Sequence, residues 1–375
     1  MYIKKLEIRN IRSVSHFEMT FPKPAGWHVL IGDNGSGKTS IVRAIALGLI
    51  HSAEEIRALR LSLMTWIQKN QEAGYISLLF ERNIKSKVPV LNKDDYSINI
   101  TISKEIISGF EVGKIQINDT NIYENLNSGW FSAAFGPFRR FTGGDKEWSK
   151  VYHSAPRAAA HISIFGEDVA LTESLEWLSD IKFKSFESNL AAKTTLESLI
   201  RFVNESGLLP HNVKLTDITS EGVFFKDGNG YDLDVTQLSD GFRSMLSMIF
   251  ELIRQMIKTY SEQEVFKNIS NGKMSIDIPG VVLIDEADTH LHPTWQTGIG
   301  QWFTKFFPNI QFIVTTHSPL ICRACEKGSI WRLASPGSGE TSEEITGIAK
   351  KKTDFRKCFG CLRNGGIRKK PCKIA

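Results

Sequence analysis

The sequence predicts an α/β fold with a mixed sheet, parallel at its buried centre and covered by helices. Three observations predict it. Residues 27–31, Trp-His-Val-Leu-Ile, form a largely apolar run that ends in Gly32, and a helical pattern follows from Lys38 to about Leu49. The runs at 281–285 and 312–316 read as strands apolar on both faces, as a parallel sheet between helices requires. Residues 75–81, 96–103 and 113–118 alternate apolar with polar side chains, the pattern of an antiparallel sheet.

The remaining elements follow in chain order. Residues 2–9 and 16–21 alternate and open the chain as two short strands. A further helix is expected over 53–68. Residues 170–204 carry a helical pattern without proline. Asp-Gly and Asn-Gly turn signals at 227–230 separate short strands, and 240–260 is a second strong helix. No internal repeat and no long heptad run is visible. The expected organisation is one head over 1–348, with a helical lobe over roughly 146–279 inserted in a sheet core, and a tail over 349–375.

Length and composition exclude several classes. The chain has 375 residues, 41% hydrophobic and 23% charged, ordinary for a folded domain with an ample core. No apolar run reaches the roughly eighteen residues of a transmembrane helix. Residues 1–10 have no signal-peptide core, and five cysteines make no disulfide framework, so a cytoplasmic setting is expected. The formal charge is +5, but ten of the 46 Lys and Arg, against one of the 41 Asp and Glu, lie in 349–375. The body is therefore slightly acidic, which weakens a nucleic-acid reading based on charge.

Gly32-Asp33-Asn34-Gly35-Ser36-Gly37-Lys38-Thr39 fits G-x-x-x-x-G-K-[ST] between a strand and a helix. Its glycines let successive backbone N–H groups turn toward a phosphate chain, and the helix N-terminus adds positive potential. Lys38 can reach the outer phosphates, and Thr39 can ligate Mg²⁺. Asp285-Glu286 closes the apolar strand 281–284, where ligands bind in open α/β sheets. Asp285 is expected to hold Mg²⁺ through water, and Glu286 to orient or deprotonate an attacking water. The plainer reading of this pair is a helix cap. Leu238-Ser239-Asp240-Gly241 precedes the helix at 240–260, and Ser239 reads either as its N-cap or as a phosphate contact made to another subunit. His317 follows the strand 312–316 and is either a plain hydrogen-bonded residue or a γ-phosphate contact.

Phosphate loop, Leu-Ser-Asp-Gly, acid pair and histidine occur in that order, with Lys38, Ser239, Asp285 and His317 separated by 201, 46 and 32 residues. This set resembles the ATP-binding-cassette (ABC-type) ATPase head, in the branch of the SMC and RecF proteins and the overcoming-lysogenisation nucleases. Within it the chain is most similar to the PtuA-like ATPases of Septu and retron antiviral systems, through 134–141 (Ala-Phe-Gly-Pro-Phe-Arg-Arg-Phe), 163–174 and 322–333. SMC proteins insert hundreds of coiled-coil residues where this chain has 201, and the overcoming-lysogenisation nucleases continue into a metal-binding nuclease domain for which 58 residues leave no room.

The resemblance implies a homodimer packed head to tail around two ATP molecules with Mg²⁺. It implies that Lys38, Glu286 and His317 are catalytic, and that Thr39 and Asp285 hold the metal. Arg12, Ser13, Asn34, Gly35, Ser36, Gly37, Lys38, Thr39 and Ser40 bind nucleotide from one subunit, and Ser239 and Gly241 from the other. Asp288 falls in the loop linking the two sites. The partner implied is an HNH-type nuclease, joined in retron forms by a reverse transcriptase with its RNA–DNA product. The glutamine that senses the γ-phosphate has no evident counterpart, though the turn 136–140 is near its place. Two other readings stay open: a RecF-like DNA repair ATPase, and an ATP-clamped scaffold with negligible turnover. Arg139 and Arg140 form either a local DNA-binding patch or, the favoured reading, a solvated loop or ion-pair partner.

Cys322, Cys325, Cys358 and Cys361 have the pairwise spacing of a zinc site, but the interval between pairs exceeds that of a zinc ribbon, and the first two read more simply as core residues. His290 and His292 read as part of an interface loop rather than as metal ligands. The Lys-rich tail departs from the family, and a one-nucleotide shift in 354–361 would restore a family-like segment, so the tail is expected to be a frameshift product.

Overall fold

A computed structural model describes residues 1–81, 96–120 apart from 109, 130–139, 151, 154–166, and 173–345 apart from 188, 210, 220–221 and 339–340. The tail over 349–375, Arg140, and Cys358 and Cys361 lie outside the described residues, as do the side chain of Cys325 and the start of the 170–204 pattern.

The chain opens with β1 (Tyr2–Ile11) and β2 (Val14–Thr20), followed by β3 (Gly26–Ile31), α1 (Lys38–Ile50) and α2 (Ala53–Ala58). Strands β4 (Ala73–Glu81), β5 (Tyr96–Ile107) and β6 (Phe110–Thr120) join β1 and β2 in an antiparallel sheet of order β2-β1-β4-β5-β6. Its alternation is as expected: Ile76, Leu78 and Phe80 of β4 and Ile98, Ile100 and Ile102 of β5 face the core beside α1.

The helix expected over 53–68 stops ten residues early. Ser52 caps α2, its Oγ accepting from Glu55 N, but Arg60 turns left-handed (φ 51°). A single 3₁₀ turn then leads to Trp66, whose carbonyl accepts from Arg12 N at 2.9 Å. A bridge from Ile67 to Ile11 ties this segment to β1. Burial of Trp66 against the first sheet outweighs the local helical preference.

The second sheet is the predicted parallel centre. Strand β7 (Phe131–Phe135), which periodicity did not single out, pairs with β11 (Gly280–Ile284). Strand β12 (Ile310–Thr316) lies between β11 and β3, and β13 (Ile330–Arg332) flanks β3, all parallel. A short antiparallel strand, β14 (Glu343–Glu344), closes that edge. The parallel strands end on one edge in two steps: β7 and β11 stop together, Phe135 paired with Ile284 and Ile284 with Val314, and β12 and β3 run two residues further, to the Thr316 and Ile31 pair.

Helix α3 (Pro156–His161) covers α1. The 170–204 pattern becomes two helices, α4 (Glu173–Phe186) and α5 (Leu190–Glu205), because Asn189 starts a new cap by accepting from Ala192 N. A three-stranded antiparallel sheet, β8 (Lys214–Ile218), β9 (Val223–Lys226) and β10 (Asp232–Asp234), lies beside them. Helix α6 (Asp240–Thr259) is buried along most of its length. It is followed by α7 (Glu262–Val265), α8 (Lys267–Ser270) and, after β11, α9 (Pro293–Phe306). Leu199, Phe202, Leu246, Ile249 and Phe250 of α5 and α6 share one apolar cluster with Val29, Val282 and Phe312 of the parallel sheet. No described helix is long and apolar enough to cross a membrane.

Candidate functional site

The C-terminal strand ends gather the predicted motifs on one edge, the side where open α/β sheets take ligands. The phosphate loop leaves β3, the acid pair leaves β11, and His317 leaves β12. Gly35 and Gly37 hold positive φ of 79° and 91°, which lets the loop curl over the start of α1. A Cβ on Gly37 would meet Val14 at 2.8 Å, so β2 closes one flank of the loop. Asn34 and Gly35 lie exposed at its tip, and Thr39 and Ser40 are half-buried on the first turn of α1.

Lys38 is buried, and its Nζ donates to Gly32 O and Asp33 O, both at 2.8 Å. Burial pushes its ammonium below the ordinary lysine range, while Asp285, Glu286, Asp33 and Asp288 oppose that shift. Ser36 Oγ is a buried polar atom without a partner among the described residues. Arg12 Nε is another; this guanidinium lies over the Trp66 ring at 4.5 Å in a left-handed turn of φ 50°. Burial first, and Arg43 second, lower the Arg12 pKa. Orphaned donors around a glycine cradle fit an anionic ligand, so these residues suit a nucleotide phosphate chain.

The acid pair is braced from β12. Asp285 is 1% exposed, and its carboxylate accepts from Thr315 Oγ1 at 2.5 Å. The same Oγ1 accepts from Glu286 N at 2.8 Å. Glu286 sits at φ 48°, and its carboxylate accepts from Thr289 Oγ1 at 3.1 Å. Thr39, next to Lys38 in the chain, and Asp285, whose charge acts on Lys38, carry oxygen ligands of the kind Mg²⁺ takes. Asp288 is held within its own chain, accepting from Thr316 Oγ1 at 2.5 Å and His317 N at 3.3 Å. The His317 side chain is exposed.

Ser239 occupies the N-cap position of α6 but makes no side-chain cap bond, and it is exposed. Its hydroxyl therefore does not perform the capping task that would explain it locally. Gly241 is required by packing, since a Cβ there would meet His290 O at 2.7 Å. The signature end of α6 thus rests on the loop after the acid pair. His292 is the N-cap of α9, its Nδ1 accepting from Thr294 N. Cys322 is buried as expected, on a 3₁₀ segment, Ile321–Lys327.

Sequence reasoning missed three contributors. The favoured reading of Arg139, a solvated loop residue or an ion-pair partner, fails in its first half: the residue is 4% exposed and hydrogen-bonded beneath the acid pair, with the carboxylates of Asp285, Asp288 and Glu286 acting on its charge. Thr315 braces both acids from inside a strand. The turn at 334–338 approaches the phosphate loop, where Ser335 Oγ donates to Asp33 Oδ2 at 2.7 Å. A cleft of about 600 Å³ opens there between Ser13, His16, Ser36 and Pro336. No local pattern marks Arg139, because the run 131–135 before it is short and its acceptors lie far away in the chain.

This fold and edge define a P-loop ATPase head. The chain matches over residues 28–323 the family described as "AAA domain, putative AbiEii toxin, Type IV TA system". It is 32% identical over 340 residues to the Septu protein PtuA of Bacillus thuringiensis, covering 86% of this chain and 74% of that one. To the Septu protein PtuA of Bacillus mycoides it is 26% identical over 88% of this chain, and it spans 40% of that protein's length. It is 41% identical to the "Retron Ec83 probable ATPase" of Escherichia coli over 28% of this chain and 18% of that one. A solved SMC head bound to the C-terminal winged-helix domain of ScpA shares the fold, with a TM-score of 0.54 and 18% identity over 92% of this chain and 97% of that one. The chain belongs to this AAA-domain ATPase family and, within it, to the PtuA-like ATPases.

Proposed function

We propose that the chain hydrolyses ATP as one head of a head-to-tail homodimer. In a bacterial antiviral system of the Septu or retron type, it holds and controls an HNH-type nuclease. The observation that carries the reading is the division of the site. One edge offers phosphate loop, acid pair and His317 together, while the signature serine stands exposed and uncapped on a different surface element, where only a second molecule would use it.

In this mechanism the backbone N–H groups of 34–39 and Lys38 bind the phosphates, and the cleft beside Ser13 and Arg12 takes the nucleoside. Mg²⁺, held by Thr39 and through water by Asp285, would neutralise phosphate charge. Glu286 accepts the proton of the attacking water, and His317 approaches the γ-phosphate. Ser239 and Gly241 of the second copy close the site. Phosphoryl transfer of this kind depends mainly on positioning and charge stabilisation. Dimer closure then follows ATP occupancy, to the extent that ATP prefers the closed state.

The test is a pull-down of the tagged chain expressed from its native operon, with mass spectrometry and sequencing of bound nucleic acid. A stoichiometric HNH nuclease supports the reading, and a reverse transcriptase with its DNA assigns the retron form. Duplex DNA without a nuclease overturns it in favour of a RecF-like repair ATPase.

A further inference from the structure

The turn after β7 carries a group to which the proposed mechanism gives no task. Arg139 is a cation buried at the seam between the parallel sheet and the helical lobe. All three of its donor groups are placed. Nη1 donates to Asp285 O, Nη2 to Glu286 O and Nε to Ser244 Oγ, each at 3.1 Å. One guanidinium reaches two successive carbonyls where Glu286 is left-handed, a conformation L-residues rarely adopt. The three hydrogen-bond acceptors of Arg139 are neutral; burial lowers its pKa to about 10, and the carboxylates of Asp285, Asp288 and Glu286 oppose that shift without cancelling it.

Ser244 lies in the second turn of α6, 1% exposed, and the same helix begins at Ser239 and Gly241. Arg139 therefore spans from the backbone of the catalytic acids to the helix that carries the signature. A planar fork with fixed donor directions transmits displacement better than a flexible ammonium would. In the head-to-tail arrangement on which this inference rests, the acids of a head act on its own ATP, while its signature serine acts on the ATP of its neighbour. We propose that Arg139 is a positioning residue that couples these two tasks within each head, so that the two ATP sites of the dimer respond to each other.

The experiment compares wild type with Arg139→Lys, which keeps the charge and loses the fork, and Ser244→Ala, which frees only the α6 end. Three quantities are read: affinity of the dilute head for a fluorescent ATP analogue, ATP-dependent dimerisation in a Glu286→Gln background, and the Hill coefficient of turnover. Both variants should keep nucleotide affinity within about twofold, lose roughly tenfold in turnover, and drop from a Hill coefficient near 2 toward about 1. A Ser244→Ala head with wild-type turnover and Hill coefficient overturns the coupling, whatever Arg139→Lys does. So does a turnover loss in both variants that merely follows a lowered melting temperature, with the Hill coefficient unchanged. Wild type that hydrolyses ATP with a Hill coefficient of about 1 overturns the coupling alone; wild type that neither dimerises nor hydrolyses overturns the head-to-tail reading as well.

Discussion

The phosphate side of the site rests on the C-terminal ends of parallel strands, and the signature side rests on the first turn of one helix. On the phosphate side, Lys38, Asp285, Thr315 and Asp288 are each tied to backbone or side-chain partners. On the signature side, Ser239 has no cap bond, and the salt-bridge partner of Asp240 among the described residues is Arg243, three residues on in the same helix. A braced half and an unbraced half suit a site completed by another molecule: the braced half is preorganised for charge stabilisation, and the exposed half is free to be withdrawn.

The largest expected effect would sharpen this contrast. Glu286→Gln should lower phosphate release about a thousandfold, the scale of losing a general base. ATP should then hold the protein as a dimer in light scattering. Unchanged turnover would remove Glu286 from its proposed role.

Ser239→Arg addresses the other half. It should weaken ATP-dependent dimerisation by roughly a hundredfold while each head still binds nucleotide, because a bulky cation would sit against the facing loop. Sedimentation at a series of concentrations reads this. A loss of nucleotide affinity in the isolated head would break the division into two halves.

Acid should loosen the braced side first. His28, against Pro24 O and Ser329 Oγ, and His161, against Arg157 O, are buried, and burial lowers each to about 4. In the unfolded chain both titrate near 6.5, so protonation favours unfolding. Their contribution is complete above about pH 6.5 and is lost as pH falls toward 4, by about 2 kcal/mol per ring at about pH 5. Denaturant melts at pH 7.5 and 5 measure it; equal stability at both would show that the rings are not buried neutral.

The smallest effect concerns the turn over the phosphate loop. Ser335→Ala removes the bond to Asp33 and should change nucleotide affinity by about fivefold, the worth of one part-buried hydrogen bond. The direction tells whether that turn shields the loop or shapes the nucleoside cleft.

Much of this was legible in residues. The strand before the phosphate loop, the alternating antiparallel strands and the acid pair after 281–284 were each local patterns that burial then enforced. The failures share a cause. The five-residue run 131–135 was too short to declare itself, and only pairing with β11 makes it a strand. The helix over 53–68 had the right composition, but long-range contacts of Trp66 and Ile67 with β1 ended it early. Arg139 looked like a surface charge because sequence carries no information on its acceptors, which lie 105 to 147 residues away.

The sequence by itself determined the chemistry available: a glycine cradle with lysine and threonine, a carboxylate pair on an apolar strand, and a serine at a helix start. Those are short-range facts, set by backbone freedom, side-chain charge and periodicity. Only the tertiary structure decided that the parallel strands end on one edge, that Thr315 orients both acids, that Ser239 is left uncapped, and that Arg139 is buried between the parallel sheet and α6. Each of these depends on register and packing between segments far apart in the chain, where the energy of burial and paired charge overrides what any local stretch prefers.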